Sequence, residues 1–150
     1  MRNIKMIIEY DGSRYQGWQQ PGNEESPNTI SGRILSVLRK MTQENITLNC
    51  AMRTEAGVHA YRQTVNFKTE WTGSTEELQN YLNRYLPMDI AIVSAKEVPE
   101  RFHAALHAKT RTYFYQIVPG DVPSIFRRKY SWHATLPLHI ENMKKAAALL

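Results

Sequence analysis

The sequence predicts an α+β domain, and two observations support this prediction. Several segments alternate apolar and polar residues, which is typical of strands with one buried face. Two other segments place apolar residues three and four positions apart after a capping residue, which is typical of amphipathic helices. The 150 residues, of which 42% are hydrophobic and 22% charged, are enough to bury one core, and this composition argues against disorder.

The first strand is predicted at residues 4–10, where every second residue is apolar, and Asp11-Gly12-Ser13 ends it. The polar stretch at residues 14–28 contains two glycines and two prolines. It is too long for a simple connection and is predicted to be functional or mobile. Thr29 is predicted to cap a helix that ends near Glu44. Gly32 inside this helix costs up to about 1 kcal/mol relative to alanine, which predicts close packing against another backbone.

The remaining strands are predicted at residues 46–52, 61–67, 90–93 and 111–118, the third of them short and buried. A second helix is predicted to begin at the capping sequence Ser74-Thr75-Glu76-Glu77 and to end before Pro87. The order resembles a ferredoxin-like or RRM-like unit, with an antiparallel sheet, helices on one face and one further strand. A third, amphipathic helix begins at Ile140 and includes Met143, Ala147 and Leu150. Because no Gly, Asn or Pro stops it, we expect the chain to continue in a longer protein.

A net charge of +5 and a pI near 9.4 indicate a polyanionic partner. Within residues 101–129 the cations are interleaved with aromatic residues, and Asp121 is the one acidic residue. Cations that bind phosphates beside rings that stack on bases are typical of binding to single-stranded or looped RNA. The alternative is a solvated basic strand whose aromatic residues face the core. The residues concerned are Arg101, Phe102, Lys109, Arg111, Tyr113, Phe114, Tyr115, Phe126, Arg127, Arg128 and Lys129.

No apolar run approaches the roughly 20 residues that span a membrane, and the first residues do not form a signal peptide. A cytoplasmic location and no membrane partner are therefore predicted. The single cysteine, Cys50, excludes an internal disulfide framework and a cysteine-based zinc site. It is predicted to be a small buried apolar residue.

The most informative segment is residues 53–60, which combine a cation, a hydroxyl, a carboxylate, a glycine and an imidazole between two apolar runs. Glu55 is predicted to lie on a loop at the end of a strand, where catalytic groups are common. Arg53 would project to the same side, close enough to hold Glu55 ionised or to bind a phosphate. The alternative is a surface salt bridge beside a turn.

Residues 53–60 resemble the signature of the tRNA pseudouridine synthase A (TruA) family, Arg-Thr-Asp-Ala-Gly-Val-His-Ala. Further similarities follow in the family's order along most of the chain. They are Ile8-Glu9-Tyr10-Asp11-Gly12-Ser13, Gly17-Trp18-Gln19, Thr29 with Gly32, Asn83 with Leu86-Pro87, Asp89-Ile90, Phe102-His103-Ala104, Ala108-Lys109 and Arg111-Thr112-Tyr113. The resemblance implies the pseudouridine synthase fold. Residues 1–150 would form its N-terminal α+β half, and the C-terminal half would be absent from this chain.

The resemblance also implies the reaction, which isomerises uridine to pseudouridine in the anticodon stem-loop of tRNA, at positions 38–40, without a cofactor or a metal. The implied enzyme is a cytoplasmic homodimer that binds tRNA. Glu55 takes the place of the catalytic aspartate, Arg53 and Thr54 support it, and Tyr113 stacks on the target base. His59 either supports the loop or titrates in the reaction. The residues predicted to contact RNA are Arg14, Arg53, His59, Lys109, Arg111, Arg127, Arg128 and Lys129.

The chain departs from the family at the reactive position, because the family has aspartate in place of Glu55 and glycine in place of Cys50 and Met52. The two carboxylates have similar acidity, with pKa values near about 3.9 and 4.3 in peptides. Their reach differs by about 1.5 Å, and a shift of about 1 Å can cost on the order of a hundredfold in rate. Two hypotheses follow. The protein is a synthase that uses Glu55, or it is a catalytically impaired homologue that binds tRNA without modifying it.

Overall fold

A computed structural model describes residues 1–22 and 26–149, and the chain divides into two units, Met1–Arg111 and Thr112–Leu150. The first unit contains β1 (Arg2–Tyr10), α1 (Ile30–Thr42), β2 (Asn49–Cys50), β3 (Ala60–Thr69), α2 (Thr75–Tyr85) and β4 (Ile90–Val98). Its strands form an antiparallel sheet in the order β2-β3-β1-β4. The predicted α+β class and the ferredoxin-like order of elements are thus confirmed.

The core of the first unit lies between the two helices and one face of the sheet. Thr29 caps α1 by accepting a hydrogen bond from the Gly32 amide at 3.2 Å, and Ser74 caps α2 by accepting one from the Glu77 amide at 3.0 Å. Each helix buries a stripe of apolar side chains against the sheet. Burial of each large apolar side chain contributes about 1.5–3 kcal/mol to the stability of the fold, so the two stripes hold the helices in place. The fully buried residues include Ile4, Met6, Ile8, Ile34, Leu38, Val65, Phe67, Leu78 and Leu82.

The opposite face of the sheet is tied to the segment that follows β4. Asn3 and Asn66 are buried there, and the Asn66 side-chain amide donates to Asn3 Oδ1 at 2.9 Å. Asn3 donates to the carbonyl of Phe102 at 2.8 Å, and the Ala104 amide donates to Asn66 Oδ1 at 2.8 Å. Because buried amides cost free energy unless they are paired, this network fixes the path of residues 102–104 over the sheet.

Two predicted strands of the first unit have different extents. Only Asn49–Cys50 of the predicted strand at residues 46–52 is a strand. Ile46 is buried in the core, and its carbonyl accepts from Arg39 at 3.5 Å, so this carbonyl is paired without a neighbouring strand. Arg39 also donates to the Asn45 side chain. The predicted strand at residues 90–93 extends to Val98 and is not fully buried. It lies at the edge of the sheet and packs one face only.

The second unit contains β5 (Ile117–Pro119), β6 (Trp132–Ala134) and α3 (Ile140–Ala147). The predicted strand at residues 111–118 was therefore wrong over residues 111–116, although β5 pairs with β6 in parallel. Alternation of aromatic and polar residues is not sufficient for a strand without a pairing partner. Tyr113, Phe114, Tyr115 and Phe126 are largely exposed, which contradicts the core-facing alternative for these residues. Phe102 is partly buried. The third helix is confirmed; its predicted member Leu150 lies outside the described residues.

Cys50 in β2 is half-buried and packs against the core, which agrees in part with the predicted buried apolar role. Burial raises the pKa of its thiol to about 11, and the positive charges of Arg53 and Arg111 oppose this shift. In the part of the chain that the structure describes, no helix has the length and apolar character needed to cross a membrane.

Gly32 confirms the predicted backbone contact, because a Cβ at this position would lie 2.0 Å from the carbonyl oxygen of Ser26. We expect Gly32→Ala to lower the free energy of unfolding by about 1–3 kcal/mol, since the clash outweighs the higher helix propensity of alanine. Urea denaturation measures this change. Ser36→Ala, on the exposed side of α1, is the control and should shift stability by less than about 0.5 kcal/mol. Equal stability of Gly32→Ala and the wild type would contradict the clash.

The raised pKa of Cys50 predicts slow alkylation of the folded protein. The thiolate is the reactive form, and a pKa of about 11 instead of 9.0 leaves roughly a hundredfold less thiolate at pH 8. Iodoacetamide should therefore modify the folded protein about a hundredfold more slowly than the urea-unfolded protein. The rate should rise about tenfold per pH unit until pH approaches about 11. Similar rates in the two states at pH 8 would show that the thiol is not protected.

Candidate functional site

Glu55 lies on the loop between β2 and β3, as the sequence predicts. Its carbonyl accepts from the Val58 amide at 3.2 Å, which closes a four-residue turn over residues 55–58. Gly57 has φ = 79° at the third position of this turn, a left-handed conformation that glycine adopts without strain. Glu55 is exposed, and the turn presents its carboxylate to solvent.

A second loop, residues 11–18 after β1, holds the Glu55 loop through backbone hydrogen bonds. The Trp18 amide donates to the Thr54 carbonyl at 2.9 Å, and the Gly57 amide donates to the Tyr15 carbonyl at 3.2 Å. The contact is close, because a Cβ on Gly17 would lie 2.6 Å from the Thr54 carbonyl oxygen. The first part of the polar stretch at residues 14–28 therefore forms part of the site. Residues 23–25 of that stretch lie outside the described residues.

Thr54 is buried beneath the same loop, and its side chain belongs to a polar network. The Tyr10 hydroxyl lies 2.8 Å from Thr54 Oγ1, and Gln63 Nε2 donates to the Tyr10 hydroxyl at 3.4 Å. Gln63 also donates to the Met52 carbonyl. Burial raises the pKa of Tyr10, while its hydrogen bonds with Thr54 and Gln63 act in the opposite direction. Sequence reasoning missed Tyr10 and Gln63 as site residues, because each is an ordinary member of a predicted strand.

Asp89, immediately before β4, anchors the loop at residues 11–18. Its carboxylate accepts from Arg14 Nε at 2.9 Å and from the Tyr15 hydroxyl at 2.6 Å, and its carbonyl accepts from the Asp11 amide at 2.9 Å. Burial and then the hydrogen bond to Asp89 raise the pKa of Tyr15 to about 12. Arg14 is a predicted RNA contact, and here its charge is paired with Asp89. Nothing in the sequence alone indicates this anchoring role of Asp89.

Arg53 lines a cleft of about 330 Å³ together with Ser31, Leu35 and Arg39 of α1 and the segment at residues 45–49. Among the residues that the structure describes, Arg53 and Glu55 form no ion pair, so the alternative of a surface salt bridge is not observed. The two side chains are both exposed at this loop, and Arg53 remains available to an anionic group.

His59 connects the two loops at the start of β3. Its Nδ1 lies 3.1 Å from the Gly12 amide and 3.1 Å from Asp11 Oδ1. The Gly12 amide can only donate, so it needs a lone pair on Nδ1, whereas a hydrogen bond to Asp11 would need a proton on Nδ1. We assign Nδ1 as the acceptor of the Gly12 amide. In either state His59 ties residues 11–12 to the Glu55 loop.

The other predicted RNA contacts fall into two groups. Lys109 and Arg111 are exposed at the end of the first unit, and Arg111 donates to the Ala51 carbonyl at 3.3 Å, next to the Glu55 loop. The remaining residues lie in the second unit, where Tyr113 is 77% exposed. They are Tyr113, Arg127, Arg128 and Lys129, all of them exposed. The structure thus brings Arg53, Thr54, Glu55, His59 and Arg111 together within the first unit.

The arrangement in the first unit suits a reaction on an anionic substrate. The Glu55 carboxylate lies on a turn held by hydrogen bonds and is accessible to solvent. The guanidinium group of Arg53 lies two residues earlier in the chain, and that of Arg111 donates to the Ala51 carbonyl. Carboxylates act as nucleophiles or bases, and arginine forms paired hydrogen bonds with phosphate groups.

Comparison with known proteins places these residues in a family. A family model described as tRNA pseudouridine synthase matches residues 6–105, which include both loops and Asp89. Over 149 residues the chain is 47% identical to tRNA pseudouridine synthase A of Bacillus sp. (strain KSM-64), covering 99% of this chain and 60% of that protein. It is 42% identical over 147 residues to tRNA pseudouridine synthase A 2 of Bacillus anthracis, covering 98% of this chain and 59% of that protein.

A third relative comes from a different genus. The chain is 42% identical over 150 residues to tRNA pseudouridine synthase A of Thermoanaerobacter sp. (strain X514), covering 100% of this chain and 60% of that protein. The chain therefore spans about three-fifths of the length of the curated relatives it matches. The four-stranded antiparallel sheet with its helices agrees with the pseudouridine synthase fold that the sequence predicts. On the family match and these identities, the chain belongs to the tRNA pseudouridine synthase A (TruA) family.

Proposed function

We propose that the protein is a tRNA pseudouridine synthase in which Glu55 is the catalytic carboxylate. The observation that supports this most directly is the position of Glu55, exposed at the first residue of a turn that two sets of hydrogen bonds hold in place. The same loop carries the family's signature residues on either side of it. A carboxylate presented in this way can reach a substrate without a change in the backbone.

The proposed reaction breaks the bond between N1 of uracil and C1′ of ribose and forms a bond between C5 and C1′. C5 loses a proton and N1 gains one, so no oxidant or reductant is required. The base must leave the stack to be reached. Glu55 would act at C1′ or at the ring as a nucleophile or base. Arg53 would bind the backbone or assist the flipping of the base, and Tyr113 would stack on the detached ring.

The structure offers a reason why glutamate can serve here. The loop is held by the backbone groups of Thr54 and Gly57 and by the Thr54 side chain, and none of these contacts depends on the side chain at position 55. Glutamate therefore extends the carboxylate by about 1.5 Å from an unchanged turn. Because Glu55 is exposed, rotation of its side chain can take up this length.

The second candidate is a homologue that binds tRNA without modifying it. The replacement of the family's aspartate by Glu55 favours it, since a carboxylate displaced by about 1 Å can lose on the order of a hundredfold in rate. The replacement of a glycine by Cys50 argues less for it, because Cys50 packs against the core.

The remaining parts of the proposal concern the substrate and the assembly. We propose that the target uridine lies in the anticodon stem-loop, at positions 38–40, and that the protein is a homodimer of the cytoplasm. The net charge of +5 supports a nucleic-acid substrate. The exposed cations and aromatic rings at residues 111–132 support contact with a looped RNA.

Glu55→Gln should greatly reduce turnover, because it keeps the size of the side chain and removes its charge. We expect kcat to fall by about 10²- to 10⁴-fold, with tRNA affinity changed by no more than a few-fold. The assay maps pseudouridine in an unmodified tRNA transcript, with the protein expressed from its whole reading frame. Glu55→Asp is the matched control and should remain active. A wild type that forms no product where Glu55→Asp forms some would favour the non-modifying homologue.

Binding of tRNA should weaken as salt rises, with a slope of about 0.7–0.9 in log affinity against log salt for each phosphate contact. Arg127→Gln and Lys129→Gln should each reduce that slope by about 1. Lys40→Gln, which removes an exposed charge from α1, is the control and should leave the slope unchanged. Filter binding over a series of KCl concentrations from about 50 to about 300 mM measures the slope. A slope that falls equally for all three variants would argue against a localised RNA surface.

A further inference from the structure

We propose that Tyr10 and Gln63 are positioning residues that set the place of the Glu55 carboxylate through Thr54. This inference rests on the proposed function of Glu55. Both residues are buried, so they would act through the loop and not on the substrate.

The network is buried throughout. Tyr10 is 3% and Gln63 6% exposed, on the face of the sheet whose other large residues are apolar, and Thr54 on the adjoining loop is 9% exposed. Burying three polar side chains costs free energy unless each is paired, and apolar residues of similar size would avoid that cost. A fully paired network fixes its members in one arrangement, which apolar packing does less strictly.

The network ends at the two residues that flank Arg53. Gln63 donates to the Met52 carbonyl, and Tyr10 contacts the Thr54 hydroxyl at 2.8 Å. The backbone is therefore held before and after Arg53, immediately ahead of Glu55. The pairing of β1 with β3 shifts register between Ile8 and Tyr10, and such irregularities re-aim side chains beside functional sites.

The donors and acceptors fix the direction of the hydrogen bonds. Gln63 Nε2 can only donate, so the Tyr10 oxygen accepts from it. The buried Tyr10 proton then needs an acceptor, and among the described residues Thr54 Oγ1 is the one within reach. Burial raises the pKa of Tyr10, so the phenol keeps this proton at neutral pH. Thr54 thus receives a hydrogen bond at its side chain from Tyr10 and another at its carbonyl from the Trp18 amide.

Tyr10→Phe removes the hydroxyl and keeps the ring, whose centroid lies 6.1 Å from that of Trp18. We expect kcat to fall by about 10- to 100-fold, with KM for tRNA changed by less than about twofold, because the loop shifts while the RNA contacts remain. Thr54→Val removes the same hydrogen bond from its other end and should cost a similar factor. The double variant should cost no more than either single change, since both delete one interaction.

Tyr81→Phe is the matched control. It also removes a phenol hydroxyl, from a half-buried ring that contacts Tyr85 on α2, and α2 contributes no residue to the loop. Its kcat should equal that of the wild type. An equal loss in Tyr81→Phe would indicate general destabilisation and overturn the inference, and so would an unchanged kcat in Tyr10→Phe.

Hydrogen exchange supplies a readout that does not need turnover. The amides of residues 57 and 58 should exchange faster in Tyr10→Phe and Thr54→Val than in the wild type and Tyr81→Phe. If exchange is unchanged, the network does not hold the loop and the inference fails, whatever happens to kcat. If the wild type makes no pseudouridine, the proposed function fails, while the exchange result still decides whether Tyr10 and Gln63 anchor the loop.

Discussion

The contact between two loop backbones is the constraint on which the candidate site depends. Residues 11–18 and 53–59 approach so closely that Gly12 and Gly17 have no room for a Cβ. A Cβ on Gly12 would lie 2.0 Å from the Val58 carbonyl oxygen, and one on Gly17 would lie 2.6 Å from that of Thr54. Because the two backbones lie so close, they form direct hydrogen bonds. One loop follows β1 and the other precedes β3, and these two strands are neighbours in the sheet. The turn that carries Glu55 is therefore held between the ends of two paired strands.

Because backbone hydrogen bonds hold the loop, its geometry does not depend on which residue occupies position 55. A loop held by its own side chains would change shape when aspartate is replaced by glutamate. Here the backbones of Trp18 and Tyr15 bond to those of Thr54 and Gly57, and the Tyr10 hydroxyl bonds to the Thr54 side chain, so no bond uses the side chain at position 55. The replacement then alters the reach and the rotamer entropy of one exposed carboxylate. In the proposed reaction, this replacement would therefore change the rate more than the fold.

Local signals in the sequence were enough to predict some elements, and contacts between distant residues decided the others. Thr29 and Ser74 cap their helices through bonds three residues away, and the strand at β1 has a full apolar face. Residues 46–52 show similar alternation, yet the Ile46 carbonyl bonds to Arg39 and most of that strand does not form. Within the site, Glu55 was found from its neighbours in the chain. Gln63 was not, because it meets Tyr10 across 53 positions.

The two units use their polar residues in different ways, and this difference fits the proposed function. In the first unit Asp89 pairs with Arg14, and Asn3 with Asn66, so these groups maintain geometry. In the second unit the cluster at residues 127–129 is exposed, and exposed aromatic residues precede and follow it. Rate acceleration requires groups that are fixed before the substrate arrives. Affinity for a polyanion requires cations that can displace the counterions condensed on it. A chain that supplies both needs some charges paired within the fold and others exposed at its surface.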